Sequence, residues 1–437
     1  MNQSTSAVLS FDFSADRLDV ALRTPDGRFP FTHHAYDNNW PGFLALKQDL
    51  LACLAGSDAP PTLTAVGEST GLYWWHAFYH IATDPDFAPL QPQLALLNPM
   101  HVKHFRQALP EQDKDDPADT LLIARYFQTH GVKQFYAFDE RYLPLRQLTR
   151  AYCRLVHALA ADKAFCLTFV YLLASEYKRL SPFSDVFGVT SQHVLHEYPD
   201  VAAIAAVPLD ALSATLDAVT GGRLKDSAAT AQILHQVAAD SYPLPEPLRT
   251  TVHDCLTLSL DAIRFMEAQQ RAYHQLIAAQ LTLCPEADPL LAEPGMGTIL
   301  VAALLAEIGD TRRFLSGQKY DRQRHCWRDK KYKDGQAGVA KMAGLWWPRN
   351  SSGRFASQER HLARERNPYL RHWFVQSAYS LKGHQEEYAA YYWQKYRQVP
   401  KHQHKRALIL TARKAVRLVF ALLHKGQMRQ LEESPAA

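Results

Sequence analysis

Cysteine is scarce. Cys53, Cys153, Cys166, Cys255, Cys284 and Cys326 are spread over 437 residues with no C-x-x-C pair among them. That is too sparse for a disulfide framework and lacks the spacing of a structural zinc site. A reducing cytosol fits this usage, with most of the thiols expected as small apolar groups. No run of about 18 apolar residues stands out, so no membrane span is expected. The opening MNQSTSAVLSFDF has no basic segment followed by a long apolar one, so no secretory signal is expected. Internal repeats and low-complexity tracts are also missing, which excludes solenoids and disordered classes.

What is present is ordinary in amount and uneven in place. Hydrophobic residues make up 47% and charged residues 21%, enough for a sizeable core in two or three domains. The net charge of +4 hides a division. Residues 301–437 hold 27 Lys and Arg against 11 Asp and Glu, whereas residues 1–300 hold 21 against 33. A basic C-terminal part of this kind suits a polyanion, and the acidic part would need cations to approach the same ligand.

The first ~135 residues read as alternating strands and helices. AVLSFDF (Ala7–Phe13), RLDVALRT and RFPFTHHAY suggest a meander around the turn PDG. NWPGFLALKQDLLACLAG has helical spacing and stops at Gly56. TLTAVGES (Thr62–Ser69) reads as a strand, GLYWWHAFYHIA as a helix and PQLALLNP (Pro92–Pro99) as a strand. PADTLLIARYFQTHG reads as a helix with Pro117 at its first position and Gly131 past its end. One long helix is expected over about 140–180, with Leu145, Leu148, Tyr152, Leu155 and Leu159 as its apolar stripe, and a second over about 251–283. Short helices fill the interval. The two long helices suit either an antiparallel pair or a coiled-coil dimer element. The last part runs through a basic loop, Arg312–Lys333, into further helices.

Acids recur at the ends of these elements. Asp12 lies in the first strand on the face opposite Leu9, Phe11 and Phe13, an expensive place for a carboxylate unless it is paired or binds a cation. Glu68 ends a later strand. In DKDDPAD (Asp113–Asp119), Asp116 and Asp119 share a helical face, while Asp113 and Asp115 read as solvated neighbours. Each acid alone also makes a good cap or turn. Two strand acids and a helix-borne pair together have the composition of a two-metal site for phosphoryl transfer.

SFDFSADRLDVAL, AVGESTGLYWW, LLNPMHVKHFRQ with KDDPADTLLIARYF, and a C-terminal set EPGMG, LLAEIGD, AGLWWPRNSSG and NPYLRHWFVQSA occur in one order. This order resembles the DEDD transposases of bacterial insertion sequences, the insertion-sequence one-ten family. The resemblance implies an α/β plus α chain. Residues 1–137 would be a RuvC-like RNase H fold. Residues 138–285 would be a helical, coiled-coil assembly domain. Residues 286–437 would be a basic, mainly helical transposase domain with a helix-hairpin-helix-like element. It also implies that Asp12, Glu68, Asp116 and Asp119 hold Mg2+ or Mn2+, and that Ser352 (with Ser351 as the alternative) is a nucleophile. The implied partners are donor and target DNA, an element-encoded bridge RNA and further copies of the chain, as a dimer or tetramer. Acidic and serine domains from different protomers would form one composite site. The implied location is the bacterial cytoplasm, at the nucleoid during action, with no membrane partner.

In PRNSSGRF, Arg349 and Arg354 flank the serines and suit a bidentate clamp on a phosphate. On spacing alone NSSG is a turn. PGMG (Pro294–Gly297) resembles the turn of a helix-hairpin-helix, where Gly295 and Gly297 let backbone N–H groups approach a phosphate. Arg312, Arg313, Lys330 and Lys331, interleaved with Tyr320, Trp327 and Tyr332, suit a nucleic-acid backbone and unpaired bases. His33, His34, His101 and His104 have no metal spacing and are expected at the surface. Two rival functions fit parts of the same pattern. One is a RuvC-like nuclease or junction resolvase using metal-activated water, and the other is a non-catalytic nucleic-acid-binding protein.

Overall fold

The computed structural model describes residues 6–55, 62–109, 116–132, 135–321, 323–348, 351–352, 355–356, 361–364 and 366–433, with backbone alone at 116–118, 351–352 and 355–356. Gly56, Asp113, Asp115, Arg349 and Arg354 lie outside the described residues. The chain divides into two compact units, Met1–Asp139 and Glu140–Ala437.

Strand β1 (Ser6–Phe13) pairs antiparallel with β2 (Arg17–Arg23), and β2 with β3 (Phe31–Asp37), which is the expected meander. Helix α1 (Trp40–Leu54) follows, its first turn capped by the Asn39 side chain accepting from the Gly42 N–H at 2.8 Å. Next come β4 (Thr62–Glu68), α2 (Trp75–Thr83) and β5 (Gln93–Leu97). Leu-Asn-Pro then converts strand to helix: Asn98 caps α3 (Pro99–Gln107) by accepting from the Met100 N–H at 2.9 Å, and Pro99 fits the first turn. Helix α4 spans Asp116–His130, and Gly131 leaves it at φ +60°.

The sheet order is β3-β2-β1-β4-β5, with β1, β4 and β5 parallel. Side-chain alternation sorts its residues onto two faces. Leu9, Phe11, Phe13, Leu63 and Ala65 build one core with Phe43, Leu46, Leu50, Phe78 and Ile81. Val8, Val66, Ala95 and Leu97 build the other with Val102 of α3 and Leu122, Ile123 and Phe127 of α4. Helices α3 and α4 thus cover the face that carries Asp12 and Glu68.

In the second unit, α5 (Leu143–Leu173) leads to α6 (Tyr177–Leu180), α7 (Val189–Glu197), α8 (Val201–Ala206), α9 (Leu209–Thr220) and α10 (Ser227–Asp240). Helix α11 (Glu246–Leu281) then returns along α5. Tyr152 Oη lies 2.8 Å from His274 Nε2, and Lys163 Nζ donates to Glu267 at 2.5 Å, so the two long helices form an antiparallel pair. At one end of the pair Leu159, Cys166, Val170, Leu256, Leu260 and Ile263 share a core with α7–α10. At the other end Leu145, Tyr152, Ile277 and Leu281 join a second core. Phe165 and Tyr171 of α5 and Leu258 and Phe265 of α11 are exposed.

That second core surrounds α13 (Thr298–Ile308), reached through α12 (Asp288–Leu291). Val301 to Ile308 are all buried, as suits a helix packed on every side. Its one carboxylate, Glu307, is matched by Arg150, whose Nε and NH2 donate at 2.6 and 2.9 Å, and by Asn367 Nδ2 at 2.6 Å. The remaining elements are β6 (Gln318–Asp321), β7 (Cys326–Asp329), α14 (Tyr332–Met342), β8 (Ser351–Ser352), β9 (Phe355–Ala356), α15 (Pro368–His384), α16 (Glu386–Arg397) and α17 (Gln403–Glu433).

Several expectations change. The basic loop contains an antiparallel hairpin, β6–β7. His33 is half-buried, its Nε2 2.8 Å from Oδ1 of buried Asp19. Cys153, Cys166 and Cys284 are buried, but Cys53 and Cys326 are exposed. Helix α5 is long and apolar enough, by length and composition, to cross a membrane. It is not a continuous apolar run, because Asp162 and Lys163 interrupt it, and it packs against α11.

Candidate active site

Asp12 is the penultimate residue of β1 and Glu68 the last of β4. Phe11 pairs with Gly67 across these parallel strands, so both acids emerge side by side at the carboxyl end of the sheet. In parallel sheets that end is the usual place for a site. Asp119, in the first turn of α4, faces them. The three acids line one cleft of about 460 Å³ with Lys103, Arg106 and Gln107 of α3, over Pro99, Val102 and Ile123. The Asp116 backbone opens α4, and its side chain lies outside the described residues.

Burial, then the negative charges of Asp12 and Asp119, push the Glu68 carboxyl above its ordinary range, while Arg106 and a Thr70 hydrogen bond pull the other way. Arg106 forms an ion pair with Asp119. A carboxylate whose ionisation is opposed by two neighbouring carboxylates belongs to a donor set suited to a divalent cation with oxygen preference. The Phe13 ring lies over Gly67, where a Cβ would come within 2.4 Å of its Cε2. Phe13 in turn stacks on Phe11 at 5.0 Å.

Sequence reasoning missed Lys103 and Arg106. Their spacing of three on a helix just after a strand was the available signal. It also missed Asp19, which stands opposite Asp12 in the β1–β2 register and carries His33.

The second unit holds the other expected residues. Gly295 adopts φ +87°, and Gly297 precedes the first turn of α13 with its surface exposed. The turn is held by Gln385 Nε2 donating to the Pro294 carbonyl at 2.9 Å. Arg312 is engaged by Asp310 at 2.6 Å, and Arg313 NH2 donates to the Glu307 carbonyl at 3.4 Å. Lys330 is half-exposed and Lys331 exposed. Tyr320 and Trp327 are cross-strand partners with exposed rings 5.5 Å apart. Beneath them Lys319 and Arg328 reach Asp334 at 2.6 and 2.7 Å, and Arg328, burial notwithstanding, holds its carboxyl far below the ordinary range with help from Lys319. Ser351 and Ser352 pair through their backbones with Ala356 and Phe355. Their side chains lie outside the described residues.

Residues 9–168, from β1 through most of α5, match the model of a family described as a transposase, a class of DNA-processing enzyme. Over that span the chain is similar to the DEDD transposases of the IS110 family. The match contains Asp12, Glu68, Asp116 and Asp119 and ends well before Ser352. No curated protein matches the sequence.

Proposed function

We propose that the chain is an RNA-guided DNA recombinase that moves an insertion sequence through a phosphoserine–DNA intermediate. The observation that carries this reading is the convergence of Asp12, Glu68 and Asp119, from three separate elements, on one cleft within a DEDD transposase match. The sheet order β3-β2-β1-β4-β5, with an antiparallel meander beside parallel strands, supports a RuvC-like RNase H fold. Asp12, Glu68, Asp119 and Asp116 would hold Mg2+ or Mn2+. Such an ion supplies Lewis-acid stabilisation of charge on phosphate oxygens.

The chain's own groups do the rest. Lys103 and Arg106 border the acids and suit the strand's phosphates. Ser352 Oγ attacks a phosphodiester: an Oγ–P bond forms, one P–O bond to deoxyribose breaks, the serine loses its proton and the departing oxygen gains one. A deoxyribose hydroxyl of the partner strand then attacks the adduct and restores the serine. The exposed N-terminus of α13 behind Gly295 and Gly297, and the aromatic pair Tyr320–Trp327 with Lys330 and Lys331, support contact with RNA or DNA. Arg349 and Arg354 would clamp the scissile phosphate. The apolar residues exposed along α5 and α11 support assembly with further copies, as a dimer or tetramer.

The test uses the full chain with its copurifying RNA and cognate DNA. A protein–DNA adduct resistant to denaturant should form with the parent and vanish in Ser352→Ala, while Ser351→Ala retains it. Cutting that persists in Ser352→Ala without an adduct would replace this reading with a nuclease using activated water. Strand exchange that is unchanged in Asp12→Asn would remove the acidic site from the chemistry. Sequencing the bound RNA should find two segments complementary to donor and target DNA.

A further inference from the structure

A second cluster of ligating side chains lies in the helical unit, among residues that the proposed chemistry leaves unused. Cys153 and His157 are four apart on α5 and so share one helical face. His372, in the second turn of α15, meets them from across the helix packing. One ligand atom from each of the three lies within 4.8 Å of the other two. The rings of His157 and His372 stand 5.0 Å apart at 85°, so their nitrogens converge without stacking. The neighbouring pair Tyr152 and Trp373, with centroids 6.3 Å apart, joins the same two helices and fixes their spacing beside the cluster.

We propose that Cys153, His157 and His372 bind one zinc-type divalent cation that ties α5 to α15. A thiolate and two imidazoles are the donor set of borderline ions such as Zn2+, whereas Mg2+ selects carboxylate and water oxygens. The two sites of the chain would therefore sort metals by hardness. Zinc bonds of about 2.0–2.3 Å place tetrahedral ligand atoms roughly 3.3–3.7 Å apart. His157 is exposed and can rotate to close the difference. Cys153 is only 3% exposed, and burial, helped by the Glu307 carboxylate, pushes its thiol up. Burial and His157 push the His372 imidazole down, toward the neutral form that ligates. A cation bound there would displace the proton from the sulfur. Three protein ligands leave a fourth position for water, on the exposed side of His157.

The experiment titrates the metal-stripped, full-length protein with Co2+. One equivalent should raise a thiolate-to-cobalt absorption band in the near ultraviolet. Zn2+ should displace it at stoichiometric concentration, and Mg2+ should not. Cys153→Ser should abolish the band, and His157→Gln or His372→Gln should weaken Co2+ binding by about tenfold or more, at least what loss of a supporting partner costs. Asp12→Asn with Asp119→Asn should leave the band intact. Absence of the band in the parent protein, or its survival in Cys153→Ser, would overturn the proposal. Should Cys153→Ser lose helical circular dichroism, the exposed position decides: unchanged Co2+ affinity in folded His157→Gln overturns the site, and weakened affinity upholds it.

Discussion

At the scale of single residues, the acids of DKDDPAD are expected to differ in role. Asp119 looks into the cleft with Asp12 and Glu68. Asp119→Asn or Asp116→Asn should lower strand cleavage by about a hundredfold or more, on the order of losing a catalytic acid or base, while Asp113→Asn and Asp115→Asn should cut normally; a gel-based cleavage assay compares the four. Glu68 gives a second expectation. Its raised carboxyl means that the folded state holds this proton more tightly than the unfolded chain. That contribution to stability is full below the ordinary carboxylate range and is lost as pH rises through the raised value. A bound divalent cation relieves the same repulsion. The rise in thermal midpoint with millimolar Mg2+ should therefore be larger at pH 8 than at pH 5, and Glu68→Gln should flatten the difference. Equal gains at both pH values would count against a shared cation among these acids. Asp12 and Glu68 stood out in the sequence because each is the one charged residue of its strand. Arg106 was not, because a cation on a helix is ordinary until its partner is known. Cys153 and His372 stand more than 200 residues apart in the chain, and nothing local links them.

At the scale of elements, the strands of the first sheet could be read from alternation and the turn signals between them, whereas α3 was not expected, although Asn98 and Pro99 mark its start. The β6–β7 hairpin could not. Its residues are mostly exposed and half of them are charged, so no apolar period marks it, and the ion-pair set around Asp334 ties it to α14. Asp334→Asn removes the acceptor of Arg328 and Lys319 and should lower the thermal midpoint; the parent should lose the same margin as pH falls below the ordinary carboxylate range, because a depressed carboxyl stabilises only while ionised. Thermal scans of both proteins from pH 7 to pH 3 should show the gap constant above the ordinary carboxylate range and narrowing, without closing, below it. Within the first sheet, Gly67→Ala should displace Phe13 and cost about 1–3 kcal/mol, the usual penalty of overpacking. Because Phe13 follows Asp12 directly, cleavage should fall further than the stability loss explains. Denaturant unfolding alongside the cleavage assay separates the two effects.

At the scale of the whole molecule, charge is divided along the chain, with the basic excess from residue 301 onward. Nucleic-acid affinity should fall steeply with salt, and Lys330→Glu with Lys331→Glu should reduce the slope of log affinity against log salt by about two. Fluorescence anisotropy over a salt series measures this, and an unchanged slope would take both lysines off the interface. The charge division was plain in the sequence; the arrangement of two cores at opposite ends of one helix pair was not, because it depends on how α5 and α11 align. With 31 residues in α5 and 36 in α11, the pair is a rod roughly 45–55 Å long at the usual helical rise. A rod of that length would act as a lever arm. A rotation of about ten degrees where α5 leaves the core around α13 sweeps the far bundle through roughly 8 Å, by the length of the arm alone. A modest angular change at the base of the rod therefore becomes a displacement larger than two nucleotide steps at its tip.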